Sequence, residues 1–260
     1  MKLIFIRHGD PDYTTDSLTE KGKKEAALLA ATINDFGIDE VYQSPLGRAR
    51  ETAAYCLEKL GKTAETFEWL QEFPAVFDPN LSESAREAYK TDLEIDPQTG
   101  KYKKRITWDM LPSYYMNHPE LFDKKAWRES ELVTCSDMVS VYDHVTTEFD
   151  KFLERQGYKR NGMIYSTEQG NNKTIAIFCH FGITAVFLSH LWNISPFVPL
   201  QFMAFAPTSV TEIATEEREK GIVTFRTLRG GDITHLTMAG EERSFAARFC
   251  EAYDNVNERH

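Results

Sequence analysis

Residues 2–13 read KLIFIRHGDPDY: four apolar residues, Leu3 to Ile6, run straight into an arginine, a histidine and a glycine. A short unbroken apolar run suits a strand buried on both faces, as in a parallel sheet. Arg7 and His8, which end it, prefer water or an anion. A lone Arg-His pair after a strand is ordinarily only a polar strand end, so the remainder of the chain must supply any further reason for it.

Outward from this stretch the pattern changes period. In LTEKGKKEAALLAATINDFG (residues 18–37), Ala26, Leu29, Ala30, Ile33 and Phe36 recur at helical spacing, and Gly37 stands where a helix would stop. DEVYQS (39–44) reads as a second short strand. It leads into SPLGRARETAAYCLEKLGK (44–62), where Ser44 suits an N-cap, Pro45 the first helical position and Gly61 the C-terminal stop. Strand, helix, strand, helix in this order calls for a parallel sheet covered by helices. TAETFEWLQEF (63–73) reads as a third strand running into a loop, after which the alternation is lost.

Residues 73–134 are rich in Pro, Trp, Tyr and Phe and carry no strand–helix period, as in ITWDMLPSYYMNHPELFDKKAW, so they read as an insertion with short helices, a cap or lid. A long helix is expected from Ser136 to Gly157, with Met138, Val141, Val145, Phe149 and Phe152 on one face. NNKTIAIFCHFGITAVFLSHLW (171–192) then repeats the opening order of buried strand, histidine with glycine, and helix. SVTEIATEEREKGIVTFRTL (209–228) reads as a hairpin closing one sheet edge. The fold class is therefore α/β: a three-layer sandwich with a mostly parallel central sheet flanked by helices, an antiparallel edge hairpin and an inserted helical cap. Residues 1–72 and 135–260 form the core and 73–134 the cap.

The chain of 260 residues is long enough to bury a sizeable core. Its net charge of -10 opposes a nucleic-acid or anionic-membrane partner, so an anionic substrate needs a local cluster of cations. Cys56, Cys135, Cys179 and Cys250 have no C-x-x-C pair and no metal-finger spacing, which suits reduced thiols in a cytosol. With neither a signal-peptide pattern nor a stretch long enough to span a membrane, a cytoplasmic location is expected. Oligomeric state is left open.

Three pieces, IRHG, SPLGRA and FCHFG, place Arg7 with His8, Arg48 and His180 just beyond strand ends or in the first turn of the next helix. Ligands of open α/β sheets bind beyond the carboxyl ends of the strands. The first helical turns there present unpaired N–H groups that suit an anion. With LQE (70–72) after the third strand, the set resembles the histidine phosphatase superfamily, the phosphoglycerate-mutase-like fold. RHG, S-P-x-x-R-A-x-x-T, L-x-E and H-x-G occur in the family's order and bracket the core over residues 1–72 and 173–235. RHG alone would be a weak signal, whereas the ordered set is a strong one, and LTEKG is similar to the family's L-T-x-x-G. Two features depart from the pattern: Phe181 stands where a small residue often follows the second histidine, and RHGDPDY lacks the asparagine of the mutases.

A neutral imidazole is a competent nucleophile toward phosphorus, and a phosphohistidine at His8 would split one hard hydrolysis into two easier steps. Arg7 and Arg48 offer planar, permanently charged forks matched to phosphoryl oxygens, and His180 a third donor if bound phosphate favours its charged form. The resemblance selects Glu72 as general acid, with Glu65 and Glu68 close enough for a slip of register to exchange their roles. It also places Ser209, in APTSVT, near the phosphate.

The expected activity is metal-independent hydrolysis of a small phosphorylated substrate, with no metal and no cofactor. A phosphoglycerate-type mutase, handing the phosphoryl group back to a substrate hydroxyl, is the alternative enzyme. A non-catalytic phosphate-binding regulatory module is the alternative of another class. A cysteine phosphatase is disfavoured because the arginine its loop needs six positions after Cys179 is Ala185. His118, His144, His190 and His235 lack metal-ligand spacing, and KYKKR (101–105) reads as a solvated loop. Tyr89, Trp108, Tyr114, Tyr115, Phe122 and Trp127 of the insertion suit either the wall of a substrate pocket or a small aromatic core of its own.

Overall fold

The structure, a computed structural model, describes residues 1–244 and 250–259. Eight strands form its main sheet: β1 (Lys2–Arg7), β2 (Glu40–Gln43), β3 (Glu65–Thr66), β4 (Lys159–Asn161), β5 (Ile164–Ser166), β6 (Thr174–Cys179), β7 (Val210–Glu219) and β8 (Ile222–Asp232). Their order across the sheet is β3-β2-β6-β1-β7-β8-β5-β4. The run from β3 to β1 is parallel, and every pairing from β1 to β4 is antiparallel. The β7–β8 hairpin is present, but it does not close the edge. A second hairpin, β4–β5, extends the sheet beyond it, turned by Gly162-Met163 between the paired Asn161 and Ile164, with Gly162 at φ +60°, where a two-residue hairpin turn favours glycine first.

The four principal helices are α1 (Glu20–Thr32), α2 (Gly47–Leu60), α3 (Met138–Arg155) and α4 (Phe181–Trp192). Period-2 alternation sends Ile4, Ile6, Ala176, Phe178 and Val41 to one face, where they pack with Leu29, Ala30 and Ile33 at α1 and Ala53 and Cys56 on α2. Leu3, Phe5, Ile175 and Ile177 on the opposite face are buried as well, which is why both strands read as continuous apolar runs. Thr19 caps α1 by accepting the Gly22 N–H at 3.1 Å; Gly61 stops α2, and Gly37 the 3-10 turn Ile33–Phe36 that follows α1, both in the left-handed region. Gly22 is also needed for space, because a Cβ there would lie 2.2 Å from the Asp10 carbonyl oxygen. The glycine of LTEKG thus lets the loop after His8 cross the first turn of α1.

The chain divides into two compact units. The first, Met1–Glu72, Glu154–Thr184 and Ala204–His260, holds the whole main sheet with α1 and α2. The second comprises Phe73–Leu153 and Ala185–Met203; it takes in most of α3 and α4, whereas the sequence reading returns to the core at residue 135. Short helical turns run through it, and its core is aromatic. Phe149 stacks on Phe187 at 4.3 Å, and Trp127 meets Tyr142 edge-on at 5.2 Å. Tyr89, Tyr114 and Trp127 are buried in this unit, so of the six aromatics only Trp108, Tyr115 and Phe122 keep exposed surface. Among the described residues no helix is long and apolar enough to cross a membrane.

Candidate active site

Register places the key residues. β1 and β6 are parallel neighbours with Arg7 opposite Cys179, and the His8 N–H donates to the Cys179 carbonyl at 3.0 Å. His8 and His180 therefore leave adjoining strand ends side by side, ring centroids 5.1 Å apart at 58°. β2 ends on the other side of β6, where the Ser44 N–H donates to the Phe178 carbonyl at 2.9 Å. Arg48 follows in the first turn of α2. Ser209 precedes β7 and accepts the Arg7 N–H at 3.1 Å through its carbonyl. Arg7, His8, Arg48, His180 and Ser209 are all buried, and all belong to the first unit.

The His8 ring is tautomerically fixed. Its Nδ1 lies 2.7 Å from the Gly9 carbonyl oxygen and must donate, so the neutral ring keeps its lone pair on Nε2. Burial first, then the charge of Arg7, holds the His8 pKa well below the ordinary 6.5. His180 is depressed in the same direction by burial, His8 and the two arginines. Because the unfolded chain takes up protons that these folded rings refuse, stability should hold above about pH 6.5 and fall below it, by up to about 1.4 kcal/mol per pH unit for each ring. Denaturant unfolding between pH 7 and 5 should show this slope, and His180→Asn should flatten it. A profile that is level in both proteins would contradict the buried neutral pair.

Supporting contacts explain several motif residues. Thr52, the last residue of S-P-x-x-R-A-x-x-T, accepts the Gly9 N–H at 2.9 Å and donates to the Arg48 carbonyl at 2.8 Å, tying the loop after His8 to α2. Ser44 is not the N-cap, nor is Pro45 the first helical residue: α2 begins at Gly47 after Leu46. The Ser44 hydroxyl instead sits 2.8 Å from His180 Nε2 and accepts the Leu46 N–H at 3.2 Å. Arg7 donates through Nη1 to the Phe205 carbonyl, and the Phe205 ring packs edge-on against Phe181 at 5.7 Å. The bulky residue after the second histidine thus supports the segment that orients Arg7.

Asp16 is a site residue that the sequence reading missed. Its carboxylate accepts the Gly47 N–H at 2.6 Å and Arg48 Nη1 at 2.5 Å, which fixes the arginine against the start of α2. Its φ of +51° marks a tight turn that Asp tolerates, but nothing in the spacing separates it from Asp10 or Asp12.

Of the three glutamates near the third strand, Glu72 reaches this region. Its Oε1 accepts the Ile183 N–H in the first turn of α4 at 3.2 Å, and its charge acts on Arg7. Glu65 pairs with Arg155 at 3.8 Å, and Glu68 is exposed. Burial pushes the Cys179 thiol up to about 12, which removes it as a nucleophile. His118, His190 and His235 lie against Glu120, Asp150 and Thr208 respectively, His144 is exposed, and Lys103, Lys104 and Arg105 pair with acids of their own unit.

Seven buried side-chain polar atoms lack a partner among the described residues, and four are here: Arg7 Nε, Arg48 Nε, His180 Nδ1 and Ser209 Oγ. Each such atom costs about 1–3 kcal/mol when desolvated without a bond. Two guanidinium groups, an imidazole and a hydroxyl match the oxygens of a tetrahedral oxyanion. Among the described residues no group of three or more His, Cys, Asp or Glu is placed to hold a metal ion.

Residues 3–100 match the histidine phosphatase superfamily (branch 1), and the resemblance read from the four motifs is borne out. Over 252 residues the chain is 26% identical to a probable phosphatase of Schizosaccharomyces pombe, spanning 91% of this chain and 95% of that one. It is similar in fold to a phosphoserine phosphatase mutant from Entamoeba histolytica in complex with phosphoserine (TM-score 0.55, 18% identity, 90% of this chain and 98% of the other). A mycobacterial glucosyl-3-phosphoglycerate phosphatase with inorganic phosphate is similar to the same degree (TM-score 0.55, 15% identity, 90% and 98%).

Proposed function

We propose that this chain, whose residues 3–100 match the histidine phosphatase superfamily, is a phosphatase that hydrolyses small phosphomonoesters through a phosphohistidine on His8. The observation that carries this reading is the set of four partnerless buried groups on Arg7, Arg48, His180 and Ser209, gathered at the strand ends that hold a neutral His8. Their positive charge and donor hydrogens suit phosphoryl oxygens and would repel a divalent cation.

In the first step His8 Nε2 attacks phosphorus while the bond to the ester oxygen breaks, and the leaving alkoxide takes a proton from Glu72. Arg7, Arg48, His180 and Ser209 hold the transferring oxygens, where charge spreads in the transition state. Anion binding also offsets the depression of His180, which then donates as an imidazolium. In the second step Glu72 accepts a proton from water as its oxygen attacks the phosphohistidine, releasing inorganic phosphate and restoring neutral His8. Handing the phosphoryl group to a second substrate hydroxyl instead would make the enzyme a mutase. The partnerless donors serve both outcomes, and the product assay separates them.

Released phosphate should accumulate from phosphomonoesters at an undiminished rate after exhaustive chelation, and vanadate should inhibit. Loss of activity on chelation, restored by a divalent ion, would refute the proposal. The role of Glu72 is tested separately with Glu72→Gln, which keeps the shape and removes the acid. We expect about 10²–10³-fold slower hydrolysis of alkyl phosphates but a much smaller change for an aryl phosphate, whose phenolate departs with little help. Equal slowing of both would remove Glu72 from the proton-transfer step.

A further inference from the structure

The mechanism accounts for the phosphoryl group and leaves the remainder of the substrate unassigned. Among the described residues, Tyr13 is a large ring left in the open, 63% exposed, beside a site group. The Arg48 guanidinium lies over its ring at 5.4 Å. It sits on a short braced hairpin in which Pro11–Asp12 pairs with Ser17–Leu18. Asp12 accepts from the Thr14 N–H at 2.9 Å, and Glu51 on α2 accepts the Leu18 N–H at 2.7 Å. The hairpin that carries the ring is therefore braced, and the ring stands beside Arg48 with most of its surface available.

We propose that Tyr13 is a specificity-determining residue, a platform against which a planar aromatic or heteroaromatic group on the leaving side of the substrate stacks. An exposed ring beside a charged site loses little freedom when a flat partner covers it, and the offset stack adds to the area buried. The ring's attraction for cations is already engaged by Arg48 on one face, which disfavours an ammonium group and favours a neutral ring on the other. The inference rests on the phosphatase reading for its catalytic readout.

The test compares benzyl phosphate with ethyl phosphate, whose leaving alkoxides are of comparable basicity. The ratio of their kcat/KM values should fall about five-fold in Tyr13→Ala and stay near wild type in Tyr13→Phe. An unchanged ratio in Tyr13→Ala, or equal loss on both substrates, would overturn the proposal by reducing Tyr13 to a support for Arg48. Should wild type release phosphate from neither ester, the phosphatase reading fails by itself. The platform is then judged by calorimetry with benzylphosphonate and methylphosphonate: a wild-type preference for the benzyl compound that Tyr13→Ala abolishes upholds it, and no preference refutes it.

Discussion

Replacing His8 with alanine should abolish turnover, lowering kcat by at least about 10⁴-fold, because no other group in the site supplies the nucleophile. Cys179 is held protonated by burial, and the His180 Nε2 is engaged with Ser44. The folded state should survive the change. The lost ring leaves a space bordered by donors that water can fill, and a ring whose pKa burial depresses is no longer confined, so acid sensitivity should lessen. Steady-state phosphate release together with denaturant unfolding at pH 7 checks both halves. A variant that stays folded and retains even a tenth of wild-type activity would show that the phosphoryl group is transferred directly to water.

The second large effect is expected at Arg7. Removing one preorganised donor to a transition-state oxyanion costs about 10²–10³-fold in kcat, and an arginine facing a transferring phosphoryl group lies at or above the upper end. We therefore expect Arg7→Ala to lose about 10³-fold and to weaken vanadate inhibition in parallel. Arg7→Lys should recover little. In the proposed mechanism the guanidinium serves two partners at once, donating through Nη1 to the Phe205 carbonyl while Nε, without a partner among the described residues, meets the phosphoryl group. A point charge cannot do both. Recovery by lysine to within ten-fold would indicate that charge alone matters there.

Much of this arrangement was legible in the chain itself. β1 and β6 read clearly because both of their faces are buried, leaving unbroken apolar runs, and Gly37 and Gly61 marked helical ends because glycine, free of Cβ strain, is favoured at φ near +60°. Arg7, His8, Arg48 and His180 could be placed together because each lies at or just beyond a strand end, or in the first turn of the next helix, in a fold whose strand ends converge.

Other features depended on partners distant in sequence. Ser44 reads locally as a helix cap, yet its hydroxyl meets His180 across 136 positions of chain. Asp16 reads as one more acidic turn residue until Arg48 stands beside it. The division into units was obscured because α3 and α4 each run from one unit into the other, and periodicity shows that a helix face is buried without showing against what. The β4–β5 hairpin carried a local signal in Gly162 at its turn, but its strands are only three residues long, too short for alternation to register.

The central claim is that the phosphoryl group passes through His8. Mixing the protein with radiolabelled substrate and quenching in base within milliseconds should trap a label that is stable in alkali, lost in acid, and mapped to the peptide containing His8. The His8→Ala protein should take up none. A label on Cys179, on a hydroxyl side chain, or nowhere during active turnover would contradict the account.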